Sequence, residues 1–108
     1  MECLTLQEKK AEWRQRKEAY LDHLRTGDRA SLLVSACDKL HNARAIVADL
    51  HAGQDVFSRF KAGREGTLWY YNELVKVIGF RFGPNEPVLL QLSTAVTAME
   101  SYPVPTRD

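Results

Sequence analysis

A chain of 108 residues holds one domain at most and can bury only a modest core. Its hydrophobic content of 44% and charged content of 27% are those of an ordinary globular protein. A net charge of +1 supplies no global field for nucleic acid or an anionic membrane. No apolar run approaches the roughly 20 residues that span a bilayer, and the opening MECLTLQEKK lacks a signal-peptide layout.

The two cysteines, Cys3 and Cys37, have no CxxC spacing, so neither a zinc knuckle nor a disulfide framework is indicated. A reducing, cytoplasmic setting is therefore expected. Cys37 is expected as a small buried residue.

The first helical segment runs from about Leu6 to Leu24, with Leu6, Trp13, Tyr20 and Leu24 as its apolar positions. The basic run from Lys9 to Lys17 is interleaved with acids and reads as a solvated face, with Glu12 and Arg16 as a four-apart pair. Gly27 breaks this helix, and Asp28 is suited to cap the next. In the second, Leu33, Ala36, Leu40, Ala43, Val47 and Leu50 form a stripe at three- and four-residue steps, ended by Gly53.

A short segment with Val56, Phe57 and Phe60 comes next, then a turn over 62–66. Thr67 is placed to cap a third helix facing inward through Leu68, Tyr71, Val75 and Ile78. The stretch from Gly79 to Pro87 reads as loop, with Gly83-Pro84 as a breaker pair. Pro87 suits the first turn of a last helix, with Leu89, Leu92, Val96 and Met99 inward. The expected organisation is a single all-α domain over 1–102, a bundle of four to five helices, with 103–108 as a non-helical tail.

The second segment carries polar groups that packing does not demand. Asp38 and Asn42 are four apart and share a face, and Asp49 returns to nearly that face. A carboxylate beside an amide can hold a cation and orient a polar ligand. A solvated helix face with a local hydrogen bond accounts for the same pattern. His41 stands four residues after Cys37, but two potential ligands are too few for a metal site. His51 stands where a histidine complements a helix C-terminus. Trp69 and Tyr70 offer aromatic faces for a base, while Tyr71 reads as packed.

The string Ala36-Cys37-Asp38-Lys39-Leu40-His41-Asn42-Ala43-Arg44 resembles the last motif of HD-superfamily phosphohydrolases, above all the Rel/Spo-type hydrolases of guanosine tetraphosphate. The segment from Glu12 to Leu24 resembles the helix that precedes that motif. Phe60, Gly63-Arg64-Glu65-Gly66 and Leu68-Trp69-Tyr70-Tyr71 resemble the segment after it, so the likeness covers roughly residues 2 to 100. It implies the second half of an HD-type fold, an orthogonal helical bundle.

By the same resemblance, Asp38 is the final ligand of a divalent metal, usually manganese, that polarises a phosphate and activates a water. Asn42 contacts the nucleotide, and Lys39 either screens phosphate charge or faces solvent. His41 is a structural residue of the motif. The family's first His and its His-Asp pair have no counterpart among His23, His41 and His51. They fall upstream of Met1, so the resemblance implies a truncated member without hydrolase activity of its own. The missing helices would leave an apolar patch, for which a homodimer is the expected outcome. A non-catalytic module that binds a nucleotide or a protein is the alternative.

Overall fold

The computed structural model describes residues 5–102, and the expected tail at 103–108 and Cys3 lie outside them. The protein is all-α. Four α-helices, α1 (Leu6–Thr26), α2 (Arg29–His51), α3 (Gly63–Phe82) and α4 (Pro87–Ser101), are joined by short connections, one carrying the 3₁₀ turn Phe57–Arg59. No described helix is long and apolar enough to cross a membrane.

Local chemistry sets the helix ends. The Thr5 hydroxyl accepts from the Glu8 amide at 3.1 Å and the Glu8 carboxylate accepts from the Thr5 amide at 3.2 Å, a reciprocal capping box at α1. Asp28 caps α2 as expected, accepting from the Ser31 amide at 3.0 Å. Those amide hydrogen bonds hold its carboxyl below the usual carboxylate range. Gly27 closes α1 in an extended conformation, and a Cβ there would sit 3.1 Å from the His23 carbonyl oxygen. Arg81, on α3, donates to the Leu24 and Gly27 carbonyls, both at 2.7 Å, and so satisfies the otherwise orphaned end of α1.

Helix α3 packs against both α1 and α4, and α2 lies chiefly on α4. Leu74 and Ile78 of α3, Leu92 and Met99 of α4, and Leu32 and Ala36 of α2 are almost fully buried at the centre. Two ties brace the periphery: Arg44 donates to the Gln91 side chain at 2.6 Å, and Arg64 to the Glu100 carbonyl at 3.0 Å.

Several expectations are corrected. Helix α3 begins at Gly63 rather than after Thr67, which lies buried within the helix, and it runs on to Phe82 rather than stopping at Gly79. The glycines that read as breakers are spaces. A Cβ on Gly66 would collide with Ala62 Cβ and come within 3.5 Å of the Trp13 ring, while one on Gly79 would stand 3.3 Å from Leu89. Both are close-approach positions where α1 and α4 come up to α3.

The buried faces also differ in part. On α2, Leu32 and Ile46 are buried in place of Leu33 and Val47, because two stripes one residue apart share Ala36, Leu40, Ala43 and Leu50. On α1, Leu6 is exposed, Trp13 and Tyr20 are half-buried, and Leu21 joins Leu24 in the core. On α3, Tyr70, Leu74 and Val77 are buried along with Tyr71 and Ile78, while Leu68 and Val75 are only half-buried. A helix covered on two sides needs a wider apolar face than one stripe. The four inward positions named on α4 are all buried.

Candidate functional site

The motif helix does not present its polar residues as a ligand set. The Asp38 side chain is 62% exposed and its carboxylate faces the neighbouring Lys39 ammonium at 3.5 Å. Lys39 is not solvent-facing: its side chain is only 18% exposed, and its ammonium lies 5.0 Å from the Tyr20 ring centre. Asn42 is exposed. Asp49 does not join Asp38 but pairs with Arg59 at 3.5 Å.

Cys37 and His41, expected in packed settings, are both exposed, because the buried stripe of α2 passes through Ala36 and Leu40 beside them. His51 stands in the last turn of α2 and meets Tyr102 edge-on at 5.4 Å.

Among the described residues no group of three or more His, Cys, Asp or Glu side chains comes together in a way that could hold a metal ion. A single carboxylate already facing a lysine does not fit a divalent cation, which needs several anionic or imidazole donors. The manganese site implied by resemblance therefore has no matching donor set in these residues.

A different constellation is present one turn away. An open groove of about 390 Å³ lies between α1, α3 and the connection after α2. Its cations are Arg16 and Lys17 from α1 and Arg59 and Lys61 from the connection. Its apolar walls include the rings of Trp13, Tyr70 and Tyr71, with Ile46 contributed by α2. Asp38, Asn42 and Ile46 are spaced at four-residue steps on α2, so the motif face leads toward this groove without lining it.

Electrostatics give the groove its character. The Lys17 ammonium lies 4.6 Å from the Tyr70 ring centre and 5.9 Å from that of Trp13. Its pKa is lowered from the ordinary lysine value, first by burial and then by the nearby charges of Lys39 and Arg16. Burial pushes the Tyr71 hydroxyl up to about 12, with Asp38 adding to the effect. Tyr70 is raised further, again by burial first, then by Tyr20, Tyr71 and Asp38. The tyrosines therefore stay neutral donors at neutral pH. The lysine is a crowded cation that an incoming anion would relieve.

Of the aromatic pair singled out in sequence, only Tyr70 reaches the groove. Trp69 faces elsewhere, with the Arg14 guanidinium stacked 3.4 Å from its ring centre and Trp13 at 6.2 Å. Arg16, Lys17, Arg59 and Lys61 were not legible as a site. The run containing the first two resembles a solvated face, and Arg14 pairs with Glu18 at 3.0 Å where Glu12 and Arg16 were the expected pair. The one available signal was the four-residue interleaving of Trp13 with Lys17 and of Arg16 with Tyr20.

No family model matches the chain, and comparison with curated proteins finds no match.

Proposed function

We propose that this chain is an HD-type helical module, akin to the motif-bearing half of Rel/Spo-type phosphohydrolases, that binds a phosphorylated nucleotide without catalysing hydrolysis through its own residues. The observation that carries the reading is the groove in which Arg16, Lys17, Arg59 and Lys61 surround the rings of Trp13, Tyr70 and Tyr71. Several cations beside aromatic faces suit a ligand with multiple phosphates and a flat base, through charge-assisted hydrogen bonds at one end and stacking at the other. Guanosine tetraphosphate is the ligand that the motif resemblance suggests.

In this reading the chain's own groups bind and orient. Lys17 and Arg16 neutralise phosphate, Arg59 is held at the rim by Asp49, and the neutral hydroxyls of Tyr70 and Tyr71 donate hydrogen bonds. Asp38 and Lys39 shape the local field rather than contacting the ligand, and Asn42 stands on the approach to the groove. No step is assigned to a metal, since the donor set does not fit one.

The test is isothermal titration of the purified chain with guanosine tetraphosphate, GTP and inorganic pyrophosphate, beside a manganese-dependent hydrolysis assay. Saturable nucleotide binding, weaker for pyrophosphate and without turnover, is the expected result. No binding of any of the three would sink the reading. Turnover that disappears in Asp38→Ala would restore the catalytic alternative.

A protein-binding role is favoured by a separate observation, the Phe80 ring of α3, which is 88% exposed. The homodimer expected from the sequence belongs to this second reading.

A further inference from the structure

The rings that line the groove between α1 and α3 are not equivalent. Tyr70 and Tyr71 are only 5% and 6% exposed. The Tyr70 ring is already met by the Lys17 ammonium at 4.6 Å and, edge-on, by Trp13 at 6.3 Å and Tyr71 at 5.6 Å. Trp13 is half-buried and is itself met by Trp69 and Lys17. Phe60 also lines the groove and is 39% exposed. Among the described residues it enters no ring–ring or cation–ring contact.

Packing does not account for this ring. Phe60 belongs neither to the buried core nor to the half-buried side chains packed against it. The connection is anchored instead by Val56 and Phe57, both buried, and by the 3₁₀ turn against α3. The backbone of Phe60 is nevertheless held on both sides. Its amide donates to the Phe57 carbonyl at 3.3 Å, and its carbonyl accepts from the Gly63 amide at 3.0 Å. The root of the ring is thus fixed in advance, which lowers the ordering cost of binding.

Charge selects the occupant. Phe60 stands between Arg59 and Lys61 in sequence, and all three line the groove together with Arg16 and Lys17, while no Asp or Glu among the described residues does. An acyl chain or an apolar peptide would cover the ring and leave four cations unanswered. An acidic peptide would answer the charge and leave the ring in water. A ligand that joins a flat heterocycle to several phosphates meets both.

We infer that Phe60 is the base-stacking residue of the groove, and that its ring makes the site prefer purine to pyrimidine nucleotides of equal phosphate number. The inference deepens the nucleotide reading above and rests on it. A purine overlaps a phenyl ring more fully than a pyrimidine does, whereas the ring has no polar group with which to tell guanine from adenine. The base then lies on the side of the connection, and the two tyrosines serve through their hydroxyls.

Isothermal titration with GTP, UTP and inorganic pyrophosphate tests this on the wild type and on Phe60→Leu, Phe60→Ala and Phe60→Tyr, with far-ultraviolet circular dichroism checking each fold. Leucine keeps an apolar side chain at the position without a π face. The expected wild-type order is GTP tightest, then UTP, then pyrophosphate. Phe60→Leu and Phe60→Ala should weaken GTP about tenfold and bring it level with UTP, leaving pyrophosphate unchanged, while Phe60→Tyr keeps the wild-type order. A wild type that binds UTP as tightly as GTP overturns the stacking role while the nucleotide reading stands. So does a Phe60→Leu protein with wild-type GTP affinity, or a parallel loss of pyrophosphate binding. A wild type that binds none of the three overturns both.

Discussion

The Lys17 ammonium lies 4.6 Å from the ring centre of Tyr70, placing a half-buried cation against a buried aromatic face contributed by another helix. Lys39 and Arg16 crowd it further and, with burial, lower its pKa. Lysine at this position is therefore both a contact between α1 and α3 and a cation crowded by like charge within the groove.

Lys17→Ala should weaken binding of guanosine tetraphosphate by on the order of tenfold to a hundredfold, the cost of losing one charge-assisted contact. Affinity in the wild type should fall as pH rises through the lowered Lys17 pKa, at a pH below that of an ordinary lysine. Titration calorimetry across the alkaline range reads both effects. A flat profile would remove Lys17 from the site.

Asp38→Asn separates a field effect from ligation. Its negative charge raises the pKa of both Tyr70 and Tyr71, so it lies close enough to oppose an anion in the groove. The substitution should leave nucleotide affinity unchanged or modestly tighter, and chelators should not shift the melting temperature. Loss of binding in Asp38→Asn would point instead to a metal held through this carboxylate.

Alkaline stability should report Tyr71. Its pKa rises from 10.0 in the unfolded chain to about 12 in the fold, so above pH 10 the unfolded state binds fewer protons and stability falls with pH. Between the two values the loss from this group is on the order of 2 kcal/mol. Lys17, shifted downward, acts in the opposite sense below the ordinary lysine pKa, and Tyr70 adds to the fall. Urea unfolding of Tyr71→Phe at stepped alkaline pH should show a shallower decline than the wild type.

Gly66→Ala should destabilise the protein by about 1–3 kcal/mol, the usual cost of forcing extra volume into a packed contact. The added methyl would meet the Cβ of Ala62, at the start of α3, and the Trp13 ring of α1. Gly79→Ala should cost less, because it meets only the movable end of the Leu89 side chain at 3.3 Å. Thermal melts of the two variants side by side make the comparison.

Arg81→Met should remove two hydrogen bonds, to the Leu24 and Gly27 carbonyls, while keeping most of the aliphatic stem. The expected loss is about 2–4 kcal/mol, since partly buried bonds from a charged donor are the stronger kind. Hydrogen exchange should show the last turn of α1 opening first. Uniform loss of protection along the chain would mean that Arg81 supports the whole core instead.

The elements were legible because their signals are local. Asp28 capping α2, Pro87 opening α4, Gly27 closing α1 and the inward positions of α4 all depend on neighbours within a turn or two. The glycine-rich stretch before Thr67 misled for an equally physical reason. A glycine needed for a turn and a glycine needed for close packing look alike in one dimension, and Gly63, at φ 66°, serves the first purpose while Gly66 serves the second. The site was less legible. Asp38, Lys39 and Asn42 stand out along the chain, yet the groove is built from Arg16 and Lys17 of one helix, Arg59 and Lys61 of a connection, and two tyrosines of a third segment.

Sequence alone determined that the chain is all-α, where most helices start and stop, and which helix carries the string from Asp38 to Asn42, since caps, breakers and periodicity act over a few residues. Only the tertiary structure decided which faces of α2 and α3 are buried, and that Asp38 faces Lys39 rather than a set of metal ligands. It also decided that cations read as solvated converge on buried rings. Such choices depend on which helices pack together, and those contacts join residues tens of positions apart whose partnership no local pattern encodes.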